Sequence, residues 1–118
     1  MTCLCKTLAG NPLNMLLISN FVSSQDDLAK RKSVILTARV HPGESNSSFV
    51  IEGAIRFLLS EDNEAKMLRD KYVFKVVPML NPDGVIIGNY RCSLSFNDMN
   101  RQYVSPSSKV FPEVSAIK

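Results

Sequence analysis

From Ser33 to Val40 the chain reads SVILTARV, a β-branched run that is nearly all apolar, which is the pattern of a strand covered on both faces. Two similar runs flank it. NMLLISNF, from Asn14 to Phe21, and YVFKVVPML, from Tyr72 to Leu80, each read as a buried strand. Between the first two lies SSQDDLAKRK, Ser23 to Lys32, a charged surface connection with room for one helical turn. After Asn46 the period changes. Phe49, Val50, Ala54, Phe57 and Leu58 fall three or four apart and predict the apolar side of a helix, with Ser45, Asn46 or Ser47 available to cap its first turn. EDNEAKMLRD, Glu61 to Asp70, predicts a second, shorter helical piece before the last strand.

Strand, helix, strand with a crossover of this length is a βαβ unit, so the sheet is expected to be at least partly parallel. Ligands of such sheets sit at the carboxyl ends of the strands. Two polar stretches fall there: HPGE, His41 to Glu44, and NPDG, Asn81 to Gly84, the second a turn by composition. In the tail, FPEVSAIK places Pro112 and Glu113 where a helix would start, with Val114 and Ile117 as the beginning of its apolar face. A helix of barely two turns is marginal alone. The expectation is a sequence that stops inside an element of a larger fold.

Composition narrows this picture rather than changing it. A chain of 118 residues is the size of one small domain. Its formal charge of +3 comes from scattered Lys and Arg, without a basic run that would suggest nucleic acid or an anionic membrane. No apolar stretch approaches the roughly 20 residues needed to cross a bilayer, and MTCLCKTLAGN has no signal-peptide core. A cytoplasmic, reducing compartment is therefore expected. Cys3, Cys5 and Cys92 are an odd number without disulfide or zinc-knuckle spacing, and read as free thiols. The sequon Asn46-Ser47-Ser48 is then idle.

His41 is the only histidine. A zinc site needs a neutral imidazole and a carboxylate held firmly near the ion, and a three-residue spacing delivers both on a helix or a sharp turn. Pro42 disfavours helical geometry at His41, and Gly43 permits an unusual backbone angle, so a turn would have to aim Glu44 back beside the ring. Taken by itself, H-x-x-E reads more readily as a capped turn, with His41 solvated or bonded to backbone and Glu44 at a positive helix N-terminus, since short motifs are frequent by accident.

Two later stretches shift the balance. NPDGVIIGNYRCS (Asn81 to Ser93) and NDMNRQY (Asn97 to Tyr103) follow HPGE in order and at plausible distances. Together with LCKTLAGN, SVILTARVHPGESNSSFV and LRDKYVFKVVPMLNPDGV, the chain resembles the zinc carboxypeptidases, most closely the cytosolic carboxypeptidase branch. The resemblance implies that His41 and Glu44 are zinc ligands. It implies that Arg91 steadies the oxyanion of the tetrahedral intermediate, and that Asn100 and Arg101 hold the substrate's terminal carboxylate. It also implies Zn2+ as cofactor and protein C-terminal tails as partners, with glutamates removed from tails such as those of tubulin.

The family pattern uses two histidines and one glutamate on zinc. The second histidine and the general-base glutamate would lie beyond Lys118. Neither Cys92 nor Asp98 is required by spacing as a substitute ligand. Phe96 stands where the family has glycine, a costly exchange if that position needs a positive φ, whereas Met99 for leucine conserves volume.

The fold expected is therefore α/β, an α/β/α sandwich with a mixed, partly parallel sheet. Residues 1–118 would form the amino-terminal half of a zinc carboxypeptidase catalytic domain. The rival expectation is a non-catalytic fragment or partner-binding remnant. A nucleotide-binding module is excluded for want of a Gly-rich phosphate loop.

Overall fold

The computed structural model describes all residues, Met1–Lys118. Four strands form one mixed sheet: β1 (Thr2–Lys6), β2 (Pro12–Ile18), β3 (Lys32–Thr37) and β4 (Tyr72–Val77), in the order β1-β2-β4-β3. β1 pairs antiparallel with β2, and β2 antiparallel with β4. β3 runs parallel to β4 in unbroken register from Lys32↔Tyr72 to Thr37↔Val77. The βαβ unit expected from the pattern is thus present. Its crossover contains two helices, α2 (Asn46–Leu58) and α3 (Asn63–Lys71), and a short α1 (Gln25–Lys30) lies between β2 and β3.

β1 has no counterpart among the expected elements. TCLCK is short and half polar, and it becomes a strand because the tight turn after it, with Gly10 at φ +82° and its N–H bonded to the Thr7 carbonyl, folds it back on β2.

Apolar residues on the two faces of the sheet feed two cores. On one face Leu16, Ile18, Val34, Leu36, Phe74 and Val76 pack against α2 and α3 through Ile51, Ile55, Leu58 and Leu68. On the other, Leu13, Met15 and Val77 join Leu80, Met99, Phe111 and Val114. The last two bring in the end of the chain, where α5 (Pro112–Ile117) packs over β1. Pro112, Glu113 and Val114 occupy the helix start as expected.

Three expectations need correction. β3 is covered on one face only, because α5 reaches β1 rather than the β3 edge of the sheet; Ile35 is 55 % exposed while Val34 and Leu36 pack inward. The face of α2 is also different. Phe49 and Val50 are more than 70 % exposed and Phe57 is exposed too, and the seam is Ile51, Ile55 and Leu58. That helix carries apolar residues on more than one side, so spacing alone did not single out the packed one. Finally, NPDG opens a helix, α4 (Pro82–Ile87): the Asn81 side chain accepts the Gly84 N–H at 3.0 Å, Pro82 fills the first helical position, and Gly88 closes the helix at φ +82°.

Candidate metal and substrate site

β3 ends at Thr37, but its path continues alongside the segment after β4. Ala38 N–H donates to the Val77 carbonyl (3.0 Å), Leu80 N–H to that of Ala38 (2.8 Å), and Asn81 N–H to that of Arg39 (3.1 Å). The Asn81 side chain then donates to the Val40 carbonyl at 3.2 Å. His41 is thereby delivered to the carboxyl end of the sheet, buried at 6 % exposure.

The following turn is pinned from outside. Gly43 N–H donates to the Tyr90 carbonyl at 2.7 Å. The need for glycine here is proximity, not an unusual angle: φ is not positive, and a Cβ would meet the Tyr90 ring at Cδ2, with Cε2 and the Tyr90 carbonyl each 2.8 Å away. Gly84 has a similar reason, since a Cβ there would run into Pro42 of the same turn and lie 2.9 Å from the Cys92 carbonyl. NPDG and GNYRC are thus walls against which HPGE is shaped. Asp83 anchors the wall further, accepting hydrogen bonds from Thr7 Oγ1 (2.6 Å), Ala9 N–H (2.9 Å) and Asn11 Nδ2 (2.8 Å).

The turn closes with Glu44 N–H on the His41 carbonyl (3.2 Å), and the two side chains meet: His41 Nδ1 lies 3.0 Å from Glu44 Oε1. The other ring nitrogen, Nε2, lies 2.9 Å from Asp98 Oδ1. Both nitrogens therefore face carboxylate oxygens. Either an imidazolium donates two N–H bonds, or a neutral ring donates to Asp98 while a cation is shared between Nδ1 and Glu44.

Asp98 is the hub of the site, as a partner of His41 rather than as a substitute ligand. Besides His41 it accepts the Asn100 N–H on Oδ1 (2.9 Å), and Arg91 on Oδ2 from Nε (2.9 Å) and Nη2 (2.8 Å). Burial pushes its carboxyl up, but the bonds from His41, the Asn100 N–H and Arg91, with the charge of Arg91, outweigh that and hold it below the usual carboxylate range. Its pairing with His41 spans 57 positions and is a tertiary contact.

Of the five residues singled out from sequence, His41 and Arg91 converge on Asp98, Glu44 joins through the other nitrogen of His41, and Asn100 joins by its backbone. Arg101 follows Asn100 in a 3-10 turn, Met99–Arg101, and its guanidinium reaches only the Asn100 carbonyl, at 3.2 Å. Asn100 and Arg101 are exposed, whereas Met99 between Asp98 and Asn100 is fully buried and holds the turn down. Cys92 contributes its carbonyl to the wall but no thiol contact to the site, and all three cysteines are free.

Zinc bonded at roughly 2.0 to 2.2 Å by two tetrahedral donors sets those donors about 3.4 Å apart. The 3.0 Å between His41 Nδ1 and Glu44 Oε1 needs only a few tenths of opening. Imidazole nitrogen and carboxylate oxygen are also the right donor types, so the pair fits two positions of a zinc site. The set is not completed within the chain: no group of three His, Cys, Asp or Glu side chains could hold an ion.

The sequence model of the zinc carboxypeptidase family matches residues 2–111. Cytosolic carboxypeptidase 3 of Mus musculus is 54 % identical over 111 residues, which is 94 % of this chain and 11 % of that protein. Cytosolic carboxypeptidase 2 of the same species is 53 % identical over 109 residues, covering 92 % of this chain and 13 % of the relative. Among solved structures, a putative carboxypeptidase A from Shewanella denitrificans superposes with a TM-score of 0.88 at 33 % identity, over 98 % of this chain and 30 % of the other. The chain thus spans about a tenth of the length of the curated relatives, and the sheet and helices described above form part of a carboxypeptidase domain.

Proposed function

Given that the chain belongs to the zinc carboxypeptidase family, in its cytosolic carboxypeptidase branch, we propose that it supplies one side of a site for proteolysis at protein C-termini. His41 and Glu44 would hold the zinc ion, which when bound polarises the scissile carbonyl and makes water a nucleophile at neutral pH. The observation that carries this reading is the 3.0 Å approach of His41 Nδ1 to Glu44 while Nε2 is held by Asp98, the arrangement in which an outer carboxylate orients a ligating ring.

Arg91 is the group for the developing oxyanion: its guanidinium is steered by Asp98 yet its side chain is 45 % exposed, so it keeps donors free on its outer side. Asn100 and Arg101 offer an amide and a guanidinium fork to a terminal carboxylate, and neither side chain is committed to a tertiary contact. Clustered arginines beside the ligands favour acidic tails, and we assign glutamate-rich C-terminal tails, tubulin's among them, as substrates in the cytoplasm. No helix is long and apolar enough to cross a membrane.

A second reading is favoured by the incomplete donor set: by itself the chain is a non-catalytic fragment. The two separate experimentally. Isothermal titration with Zn2+ should give one weak site per chain, lost in His41→Ala and weakened about tenfold or more in Asp98→Asn. The chain spliced in place of the matching 111 residues of mouse cytosolic carboxypeptidase 3 should release glutamate from a glutamate-ended peptide. Zinc binding unaffected by His41→Ala would defeat the reading, and an inactive but folded chimera would leave only the fragment.

A further inference from the structure

Two non-glycine residues have a left-handed backbone, and one of them, Arg39 at φ +54°, lies two residues before His41. Such a conformation is sterically unfavourable for any residue with a Cβ and persists where its surroundings over-determine it. Here they do so at four points. The Arg39 N–H donates to Ser47 Oγ at 3.1 Å, and its carbonyl accepts the Asn81 N–H. The guanidinium doubles back over the turn, with Nε (3.1 Å) and Nη2 (2.6 Å) both on the Pro42 carbonyl and Nη1 on Ser48 Oγ (2.9 Å). Ser47 in turn donates to the Glu44 carbonyl at 2.8 Å.

We propose that Arg39 is a positioning residue for the metal-binding turn, acting through the Pro42 carbonyl and the two serines at the start of α2 to hold Glu44 beside His41. The Pro42 carbonyl belongs to the peptide that links Pro42 to Gly43, midway between the two side chains that meet. Rotation of that peptide would swing Glu44 away from His41 Nδ1, and a fork with two donors on one oxygen and a third on α2 resists it. The left-handed backbone is what lets a side chain two residues upstream face back onto the turn. Only a planar guanidinium spans both acceptors; a lysine ammonium is a single point of donation on a flexible stem. The serines of the sequon thereby acquire a structural role of their own.

This inference rests on the zinc reading of His41 and Glu44, and the experiment keeps the two apart. Arg39→Gly relieves the backbone but removes the grip; Arg39→Lys keeps the charge and loses the fork. Each variant of the full chain is titrated with Co2+ by absorption and with Zn2+ by calorimetry, and amide hydrogen exchange is followed at Gly43 and Glu44 in the metal-free protein. Both variants should lose metal affinity tenfold or more, as outer-sphere replacements do. Exchange at Gly43 and Glu44 should quicken by a similar factor, while the urea midpoint of Arg39→Gly stays at or above that of the parent. A residue with a purely structural role would shift the midpoint and leave the affinity of the folded protein alone. Parental metal affinity and parental exchange in Arg39→Gly would overturn the proposal. If the parent chain binds neither metal, the zinc reading fails, and the exchange rates alone still decide whether Arg39 holds the turn.

Discussion

Phe96 is the second residue with a left-handed backbone, at φ +59°, and it is 82 % exposed in the loop that leads into Asp98. Its N–H closes a turn on the Ser93 carbonyl at 3.0 Å, so the loop cannot relax without opening. A left-handed conformation costs a residue with a Cβ roughly 1–2 kcal/mol. Phe96→Gly removes that cost, adds about 0.5–1 kcal/mol of unfolded-chain entropy, and forfeits only the small buried part of the ring, about 0.4 kcal/mol at the usual value for burying a phenylalanine. The expected net is a stabilisation of about 0.3 kcal/mol. The informative comparison is with Phe96→Ala, which loses the same ring but keeps the strained Cβ. At an ordinary backbone angle alanine is more stable than glycine by about 0.5–1 kcal/mol; here glycine should be more stable by about 0.7 kcal/mol, a reversal of sign. The chain has no tryptophan, so urea unfolding is followed by far-ultraviolet circular dichroism. Phe96→Ala proving the more stable of the pair would refute the assignment of strain to this position.

Gly43→Ala should lose about 1–3 kcal/mol of stability, typical of overpacking, because the new Cβ falls against the Tyr90 ring and carbonyl; an unchanged urea midpoint together with unchanged zinc affinity would contradict the close approach. Glu113, 4 % exposed in the first turn of α5, has its carboxyl pushed up by burial and, against its own backbone N–H bond, by the charge of Asp83. The folded state then holds more protons than the unfolded one between the usual glutamate pKa and the raised one, so stability falls as pH rises through that window. Glu113→Gln should flatten this slope, being on the order of 1 kcal/mol more stable at pH 7 and no more stable at pH 4; a difference constant across urea midpoints from pH 4 to 7 would reject it.

The parts of the fold that could be read from the chain are those in which one physical pattern dominates. The β-branched runs of β3 and β4, joined through two amphipathic segments, permit little except a parallel pair, and the two strands do pair in parallel. β1 was hidden because Thr2, Cys3, Cys5 and Lys6 carry no strand signal until β2 lies beside them. NPDG has the composition of a turn because Asn, Pro, Asp and Gly favour turns, yet the same residues in that order cap and open a helix. Gly43 was legible as necessary but not for the right reason, since the obstructing Tyr90 is 47 residues later and its approach is tertiary.

The site divides along the same line. His41 and Glu44 could be paired once the family resemblance was added to their spacing, because the turn that joins them is local. Asp98 could not, although it links His41 to Arg91 and sets where Asn100 begins. That division has a chemical consequence. The side that would hold the ion is fixed around His41, by a buried ring bonded at both nitrogens, a turn bonded to Tyr90 and a cap bonded to Val40, with the Glu44 carboxylate more open. The side that would meet an anionic tail is built from Arg91 and Arg101, whose outer donors face water. An ion with strict distance demands needs the first kind of construction, and a flexible acidic chain end tolerates the second. Substitutions around His41 should therefore act on metal affinity, whereas substitutions at Arg101 should act on the binding of the carboxylate and leave the metal side as it was.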